Sequence, residues 1–482
     1  MKRVLIGVIL LCLLGFFPSR NAAAQDITLW LTGDTHAMVY PCHCPKEPDG
    51  GLRRRAALLK QLRQSAPDGL LLDAGGFCAG GFMDEYSQDT PLDLRRSTVV
   101  IQGMGYMKYD AALVGDEELN SGFDFLVNTS KAAHLNLLSA NIHFAQSPEA
   151  VKPYIIKKVK GIQVAIIGIS GQPRSLGNQG VVVADAASTL TQTIAQVHSE
   201  GAQIIVVLSH QGESLDKELL THVQGINVLV CANNNKFYKD SHEVINKTIV
   251  VYPSWQGRRL LQLVLHVEGE SVIGNEFKEM RLSSEINDDQ GISVPQCFMN
   301  SNCVKPGLSG ECIKPGELNA SCVYKKAAEV NLLVIQPKEC VTCNSELLIK
   351  SLKSKFPGLK VNYQYVPAAN KLIQTLGVKA LPVYLLGKEA SSQQGFDEIK
   401  SSVIQKGDYY LLKPEIVGFS FFLNRKKNPG QFDVFISLFD KPAADLLKTI
   451  KEFSPDIHFL AKEKDGVFET KNGVAETEES LR

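Results

Sequence analysis

The chain lacks an excess of charge of either sign. Its 482 residues carry 51 Lys and Arg against 51 Asp and Glu. That balance gives no electrostatic footprint for a nucleic-acid partner. It also lacks an apolar run long enough to span a bilayer, because the longest, Val4 to Phe17, is shorter than the roughly 20 residues a membrane helix needs. No Cys-x-x-Cys-His is present, so covalent c-type haem is not indicated. What is present is an ordinary globular composition, 44% hydrophobic, long enough for about three domains.

The N-terminus, Met1-Lys2-Arg3, the apolar run after it and Ala22-Ala23-Ala24 read as a secretory signal over 1–24 with cleavage before Gln25. The mature protein is expected to be exported, periplasmic or extracellular, with no membrane span. Cys12 falls inside the signal. Ten cysteines remain: Cys42, Cys44, Cys78, Cys231, Cys297, Cys303, Cys312, Cys322, Cys340 and Cys343. In an oxidising compartment an even set reads first as disulfides.

Leu29 to Cys44, LWLTGDTHAMVYPCHC, is a short apolar strand that opens into Asp34-Thr35-His36. A carboxylate beside an imidazole is a pairing that zinc, manganese or iron accepts. Further apolar runs follow at Leu70–Asp73, Ala111–Val114, Leu137–Asn141, Val164–Gly168, Ile204–His210 and Asn227–Cys231. Helical patterns lie between several of them, at about 92–107 and 186–200. This alternation predicts an α/β domain with ligands at the carboxyl ends of the strands, and places Asp34, Gly76, Asp116, His210 and Asn233 on one rim.

Several blocks share an order and spacing: Gly33-Asp34-Thr35-His36, Gly51-Leu52-x-Arg54-Arg55, Leu72-Asp73-Ala74-Gly75, Val114-Gly115, Leu138-Ser139-Ala140-Asn141, Leu208-Ser209-His210-Gln211-Gly212 and Ser254-Trp255-x-Gly257. On these blocks residues 26–270 resemble the calcineurin-like metallophosphoesterases, and within them the secreted 5′-nucleotidase and UDP-sugar hydrolase branch. The resemblance implies a sandwich-type α/β fold and two metal ions bridged by an Asp. It assigns Asp34 and His36 to one ion and His210 to the other. The chain departs from the pattern in several places. Gly76 stands where the bridging Asp belongs, and Asp116-Glu117-Glu118 replaces Asn-His-Glu. Asn233 and Asn235 replace the late histidines. Two readings stay open: Asp34, His36, Asp116 and His210 hold one divalent ion, or they satisfy loop hydrogen bonds. Glu117 is a catalytic candidate only in a hydrolase acting on a nucleotide or another phosphate ester. A third possibility is a non-catalytic protein that captures a phosphate-bearing ligand or partner.

Cys42, Cys44, Cys78 and Cys231 flank this rim, either as disulfides or as soft ligands to a metal. Polar residues 283–295 read as a boundary, and Cys297, Cys303, Cys312 and Cys322 follow within a Gly-, Pro- and Asn-rich module (283–327). It has too few apolar side chains to fold on burial alone, so two disulfides are expected to staple it. A four-cysteine zinc knuckle is the alternative.

Beyond it, the strand 330–336 opens into Cys340-Val341-Thr342-Cys343 and a helical pattern through Leu347, Leu348 and Leu352. Pro382 stands before another strand about forty residues later. This pair of signals resembles the thioredoxin superfamily over about 328–405. The resemblance implies Cys340 as the attacking thiol at a helix start, Cys343 as the resolving one and a cis Pro382 that receives protein thiols or disulfides. A second unit of similar form without cysteines is expected over 406–461, and a charged tail over 462–482. The sequence reading that results is an exported thiol-disulfide redox protein fused to an altered phosphoesterase domain.

Overall fold

A computed structural model describes residues 24–42, 48–80, 90–144, 148–172, 181–234, 241–338, 340, 343–367, 369–418, 421–423, 430–464, 467–470 and 474–480. The expected signal, His43, Cys44 and Asn235 lie outside the described residues. The chain divides into two compact units. One comprises residues 1–332, 344–361 and 386–401, and the other 333–343, 362–385 and 402–482.

The first unit opens with strand β1 (Gln25–Thr32), helix α1 (Leu52–Ser65), strand β2 (Leu70–Asp73), helix α2 (Thr90–Tyr106) and strand β3 (Ala111–Leu113). Helix α3 (Phe123–Ala132) precedes the short strands β4 (Leu137–Leu138), β5 (Ile142–Phe144) and β6 (Val151–Lys152). Strands β7 (Tyr154–Val159), β8 (Ile162–Ser170) and β9 (Val181–Val183) come next, then helix α4 (Ala186–Ser199) and β10 (Ile204–His210). Helix α5 (Glu213–His222), β11 (Val228–Cys231), β12 (His242–Ile245), β13 (Thr248–Val251) and the hairpin β14 (Arg259–Glu268) and β15 (Ser271–Arg281) follow.

Seven strands pair in the order β15-β14-β1-β2-β3-β4-β6, and six in the order β12-β13-β11-β10-β8-β7. Within the first sheet β1, β2, β3, β4 and β6 run parallel. Side chains alternate across a strand, and β1 shows the result. Ile27, Leu29 and Leu31 enter one buried cluster with Val206, Leu208, Val228 and Val230 of the other sheet, while Trp30 enters a cluster with Leu52, Ala56 and Leu59 of α1. The two sheets therefore pack face to face. Helices α1 to α3 cover the outer face of one sheet, and α4 and α5 cover the other in a third cluster with Ile205, Val207 and Leu229. This is an α/β sandwich. Strands buried on both faces read as near-continuous apolar runs, which is why the sequence shows them.

In α1 the buried positions are Leu52, Arg55, Ala56 and Leu59, the 3–4 spacing of one helical face. The helix starts at Gly51, where φ is 94° and an added Cβ would lie 2.9 Å from Pro41 Cδ. Glycine is needed there for both reasons.

Residues 304–326 form strands β16 (Val304–Lys305), β17 (Leu308–Ile313) and β18 (Ser321–Lys326), tied by Cys297–Cys312 and Cys303–Cys322. Two disulfides are therefore present, as expected. The sulfurs of Cys297, Cys303 and Cys312 lie within 4.8 Å of one another because the two bridges are neighbours in one small buried cluster, not because a zinc site is built there. The module packs on the first domain through Tyr40, whose hydroxyl donates to Pro295 O at 2.5 Å and whose ring meets Phe298.

Strands β19 (Val330–Pro337), β20 (Leu359–Val366), β21 (Ala380–Leu381), β22 (Val383–Gly387), β23 (Val403–Lys406) and β24 (Tyr409–Leu412) alternate with helices α6 (Glu346–Lys355) and α7 (Asn370–Leu376). Five of the strands form a sheet in the order β20-β19-β22-β24-β23. Cys340 and Cys343 are joined as a disulfide, and the Leu381–Pro382 bond is cis. One expectation is corrected: the helix begins at Glu346, so both cysteines lie on the loop before it. Asn344 Oδ1 accepts from the Glu346 amide and sets that later start.

Leu29, fully buried between the sheets, and Leu215 on α5, 52% exposed, offer a check on this core. Leu29→Ala should lower stability in urea denaturation by about 2–5 kcal/mol, and Leu215→Ala by about 0.5 kcal/mol or less.

Candidate functional site

The loops after β1, β2, β3, β10 and β11 meet on one rim that brings together Asp34, His36, Gly76, Asp116, Glu117, His210 and Asn233. The loop after β1 is unusual. Asp34, His36 and Ala37 all have φ near +48°, a region that non-glycine residues rarely occupy. The loop is held there by main-chain bonds to the turn after β2, from Asp34 N to Gly75 O at 2.9 Å, His36 N to Gly76 O at 2.7 Å and Ala37 N to Phe77 O at 3.2 Å.

That turn hangs on Glu118, which is fully buried. Its carboxylate accepts from the amides of Gly76, Phe77, Cys78 and Gly115 at 3.1, 2.7, 2.9 and 2.7 Å. Its neighbour Glu117 points elsewhere and holds His36 Nδ1, with its two oxygens 2.9 and 2.8 Å away. Burial pushes Glu117 up, and the His36 imidazole opposes it. His36 is raised in turn, since Glu117 outweighs the burial that disfavours its charge.

His210 is the centre of the rim. Its Nε2 lies 3.4 Å from Asp34 Oδ1 and its Nδ1 3.3 Å from Asp116 Oδ1. Burial opposes the imidazolium, but Asp34, Asp116 and Glu118 outweigh it and push His210 up to about 10. The geometry at both nitrogens is that of ion pairs, because among the described residues neither has a hydrogen-bond partner. Asp34 is further engaged: Oδ1 accepts from Asn233 N at 2.9 Å and Oδ2 from Asn234 N at 3.2 Å. The two asparagine side chains turn away from the centre, to His210 O and Cys231 O.

Beneath the loop lie groups that the sequence reading did not single out. Arg55 donates to Tyr109 Oη and Thr35 Oγ1, and Thr32 Oγ1 donates to Asp73 Oδ2 at 2.6 Å. Burial raises Asp73 to about 6, against the pull of Thr32 and Arg55. The blocks that contain Arg55 and Asp73 were visible as motifs, but nothing in them distinguished a supporting residue from a ligand.

The rim cysteines are corrected. Cys78 and Cys231 are buried free thiols, and Cys42 is buried. Being free, neither Cys78 nor Cys231 closes the disulfide to Cys42 or Cys44 that would tie the rim loops together; Cys78 packs in the cluster under α1 to α3 and Cys231 in the cluster under α4 and α5. Burial raises both thiols.

No family model matches the chain. The trifunctional nucleotide phosphoesterase protein YfkN of Bacillus subtilis is 27% identical over 292 residues, 52% of this chain and 20% of that protein. The human 5′-nucleotidase is 28% identical over 245 residues, 47% of this chain and 41% of that protein. A snake venom 5′-nucleotidase of Crotalus adamanteus is 29% identical over 306 residues, 57% and 51% of the two chains. Over about half its length, the chain is similar to nucleotide phosphoesterases of the 5′-nucleotidase type. It spans about half or less of those relatives. Among solved structures, a 5′-nucleotidase precursor from Thermus thermophilus aligns with a TM-score of 0.48 and 23% identity, covering 55% of this chain and 56% of that one.

The two-ion centre implied for this phosphoesterase type does not fit the residues present. A Cβ on Gly76 would lie 2.8 Å from His210 Nε2 and 3.2 Å from Asp34 Oδ1, so His210 fills the space a bridging carboxylate would need. Asn233 and Asn234 spend their amides on the loop. One ion is a different matter. His36 Nε2, both nitrogens of His210 and Asp116 Oδ1 are buried and, among the described residues, without hydrogen-bond partners. Nitrogen and carboxylate donors of this kind suit zinc, manganese or iron. Among the described residues no three of these rim atoms converge within 4.8 Å, so binding requires His210 to leave its contact with Asp34.

Gly76 has φ +69°. Gly76→Ala is expected to cost about 1–3 kcal/mol in urea denaturation from crowding added to backbone strain. Gly122→Ala, at φ +90° with nothing within 4 Å of the new Cβ, should cost less. Equal losses at the two sites would show that His210 does not occupy the space beside Gly76.

Proposed function

We propose that this is an exported protein whose phosphoesterase-type domain, about residues 26–282, hydrolyses a phosphate ester of the nucleotide class with one divalent ion. The observation that carries this reading is the gathering of Asp34, His36, His210 and Asp116 on one rim, where His36 Nε2 is buried with no hydrogen-bond partner among the described residues and His210 is held between Asp34 and Asp116 by ion pairs alone. Burying a polar atom without a partner costs about 1–3 kcal/mol, and His36 Nε2, beside two carboxylates and a second imidazole, supports a cation as the missing partner. Asp34, His36, His210 and Asp116 would hold it. When bound, the ion supplies Lewis acidity toward a phosphoryl oxygen. Glu117, committed to His36 through both oxygens, is then an orienting group and not a free base. The nucleotidase names of the relatives support the substrate class. Export is supported by three disulfides among the described residues and by the N-terminal pattern.

Phosphate release from AMP, measured with added Mn²⁺, Zn²⁺ or Fe²⁺, should require the metal and fall at least about 100-fold in Asp34→Asn and in His210→Ala. No release with any of the three metals would sink the reading, as would release that survives both substitutions together.

A second reading concerns the other unit. Both cysteines of the Cys340–Cys343 disulfide are half-buried on a loop, whereas each of the other two disulfides has at least one nearly or fully buried cysteine: Cys297 and Cys312 in one, and Cys303, bonded to the half-buried Cys322, in the other. Accessible disulfides exchange first, which supports a thioredoxin-like dithiol domain over about 328–405 that exchanges with protein thiols. Graded dithiothreitol followed by mass spectrometry should open Cys340–Cys343 before the other two pairs, and insulin reduction should vanish in Cys340→Ser. Reduction in the opposite order, or activity retained by the variant, overturns it.

A further inference from the structure

We infer that Glu117 is a positioning residue that fixes the His36 imidazole with Nε2 presented to the rim as a ligand. This rests on the one-ion reading above and assigns the part of the site that differs most from the family pattern.

Both oxygens of Glu117 face His36 Nδ1, at 2.9 and 2.8 Å, and both residues are nearly fully buried, at 3% and 4% exposure. An imidazole has two nitrogens on opposite sides of the ring, so a carboxylate on Nδ1 leaves Nε2 facing away from Glu117. That atom is buried and, among the described residues, has no hydrogen-bond partner. Asp34 and His210 are close enough to act on its charge. A metal-binding histidine commonly gives its other N–H to a carboxylate, which sets the tautomer and the ring angle and raises ligand basicity. Glu117 and His36 have this arrangement.

The backbone makes the ring's placement definite. His36 sits at φ 49° with its amide on Gly76 O, so the side chain leaves a fixed point. Glu117 is the first residue of a 3-10 turn, Glu117–Leu119, and the next residue, Glu118, is pinned by four amides. Two consecutive carboxylates thus do different work: one holds the turn after β2, the other the ring that lies above it. Glu117 reaches His36 across 81 residues of sequence, and a pair so distant is brought together only by the fold.

The test uses the full mature chain, freed of metal with chelator and then titrated with Co²⁺ alone. In the metal-free protein, proton–nitrogen correlation spectra should show a hydrogen-bonded Nδ1–H on His36 that is lost in Glu117→Gln. Co²⁺ affinity, read from its visible absorption, should fall about 10- to 100-fold in Glu117→Gln and recover in part in Glu117→Asp. An absent Nδ1–H signal in the parent protein overturns the pairing itself. Unchanged Co²⁺ affinity in Glu117→Gln, with binding abolished in His36→Ala, overturns the positioning role while the one-ion reading stands. Absence of Co²⁺ binding in the parent, with the Nδ1–H signal present, overturns both the one-ion reading and the ligand role of Nε2. That result is separable from the first because the pairing is still seen.

Discussion

The rim depends on a carboxylate that never meets solvent. Glu118 is fully buried and accepts four main-chain N–H groups, three from the turn after β2 and one from Gly115 after β3. Burial raises its proton affinity; the imidazole of His210 and the amides oppose this. A charge in such a position is tolerable only because its lone pairs are filled by fixed donors. The turn so held is the one to which residues 34–37 are bonded, and that loop carries Asp34 and His36 in left-handed backbone that would otherwise relax. Without Glu118, four amides would lose their acceptor and the loop would lose its template.

On this frame the domain has exchanged one kind of cohesion for another. In a two-ion centre the bridging carboxylate and late histidines are held by the metals they bind. Here Gly76 contributes no side chain, His210 occupies the adjoining space, and Asp34 is held by the amides of Asn233 and Asn234. The asparagines do not imitate the lost imidazoles. They bring main chain close to Asp34, helped by Asn233 at φ 65°.

Much of this was legible in the sequence, because strands buried on both faces are continuous apolar runs and ligand positions at their carboxyl ends follow from topology. Residues 204–210 and 186–199 are a strand and a helix as read. The module's two disulfides followed from its poverty of apolar side chains. Disulfides at Cys78 and Cys231 were expected and are not present, because proximity to a rim in sequence does not say into which layer a side chain turns: Cys231 ends β11 facing the α4 and α5 layer, and Cys78 faces the layer of α1 to α3. The helix after Cys343 began late because a local Asn344 bond competes with helix formation. The pairing of Glu117 with His36 was invisible, since a contact across 81 residues has no local signature.

The charges at the rim limit what can bind there. Asp34, Asp116, Glu117 and Glu118 surround two imidazoles, so with both histidines protonated four negative charges still face two positive ones. Arg55 does not redress this, because its guanidinium is spent below the loop on Thr35 and Tyr109 and offsets Asp73. At about 4 Å and an effective dielectric of about 20, each unbalanced pair is worth about 4 kcal/mol. A phosphate dianion is repelled by such a surface. A divalent ion at the His36 and His210 nitrogens would take the place of the protons on those rings, which leaves the summed charge of these groups negative but gathers the positive charge at one point that a phosphoryl oxygen can approach.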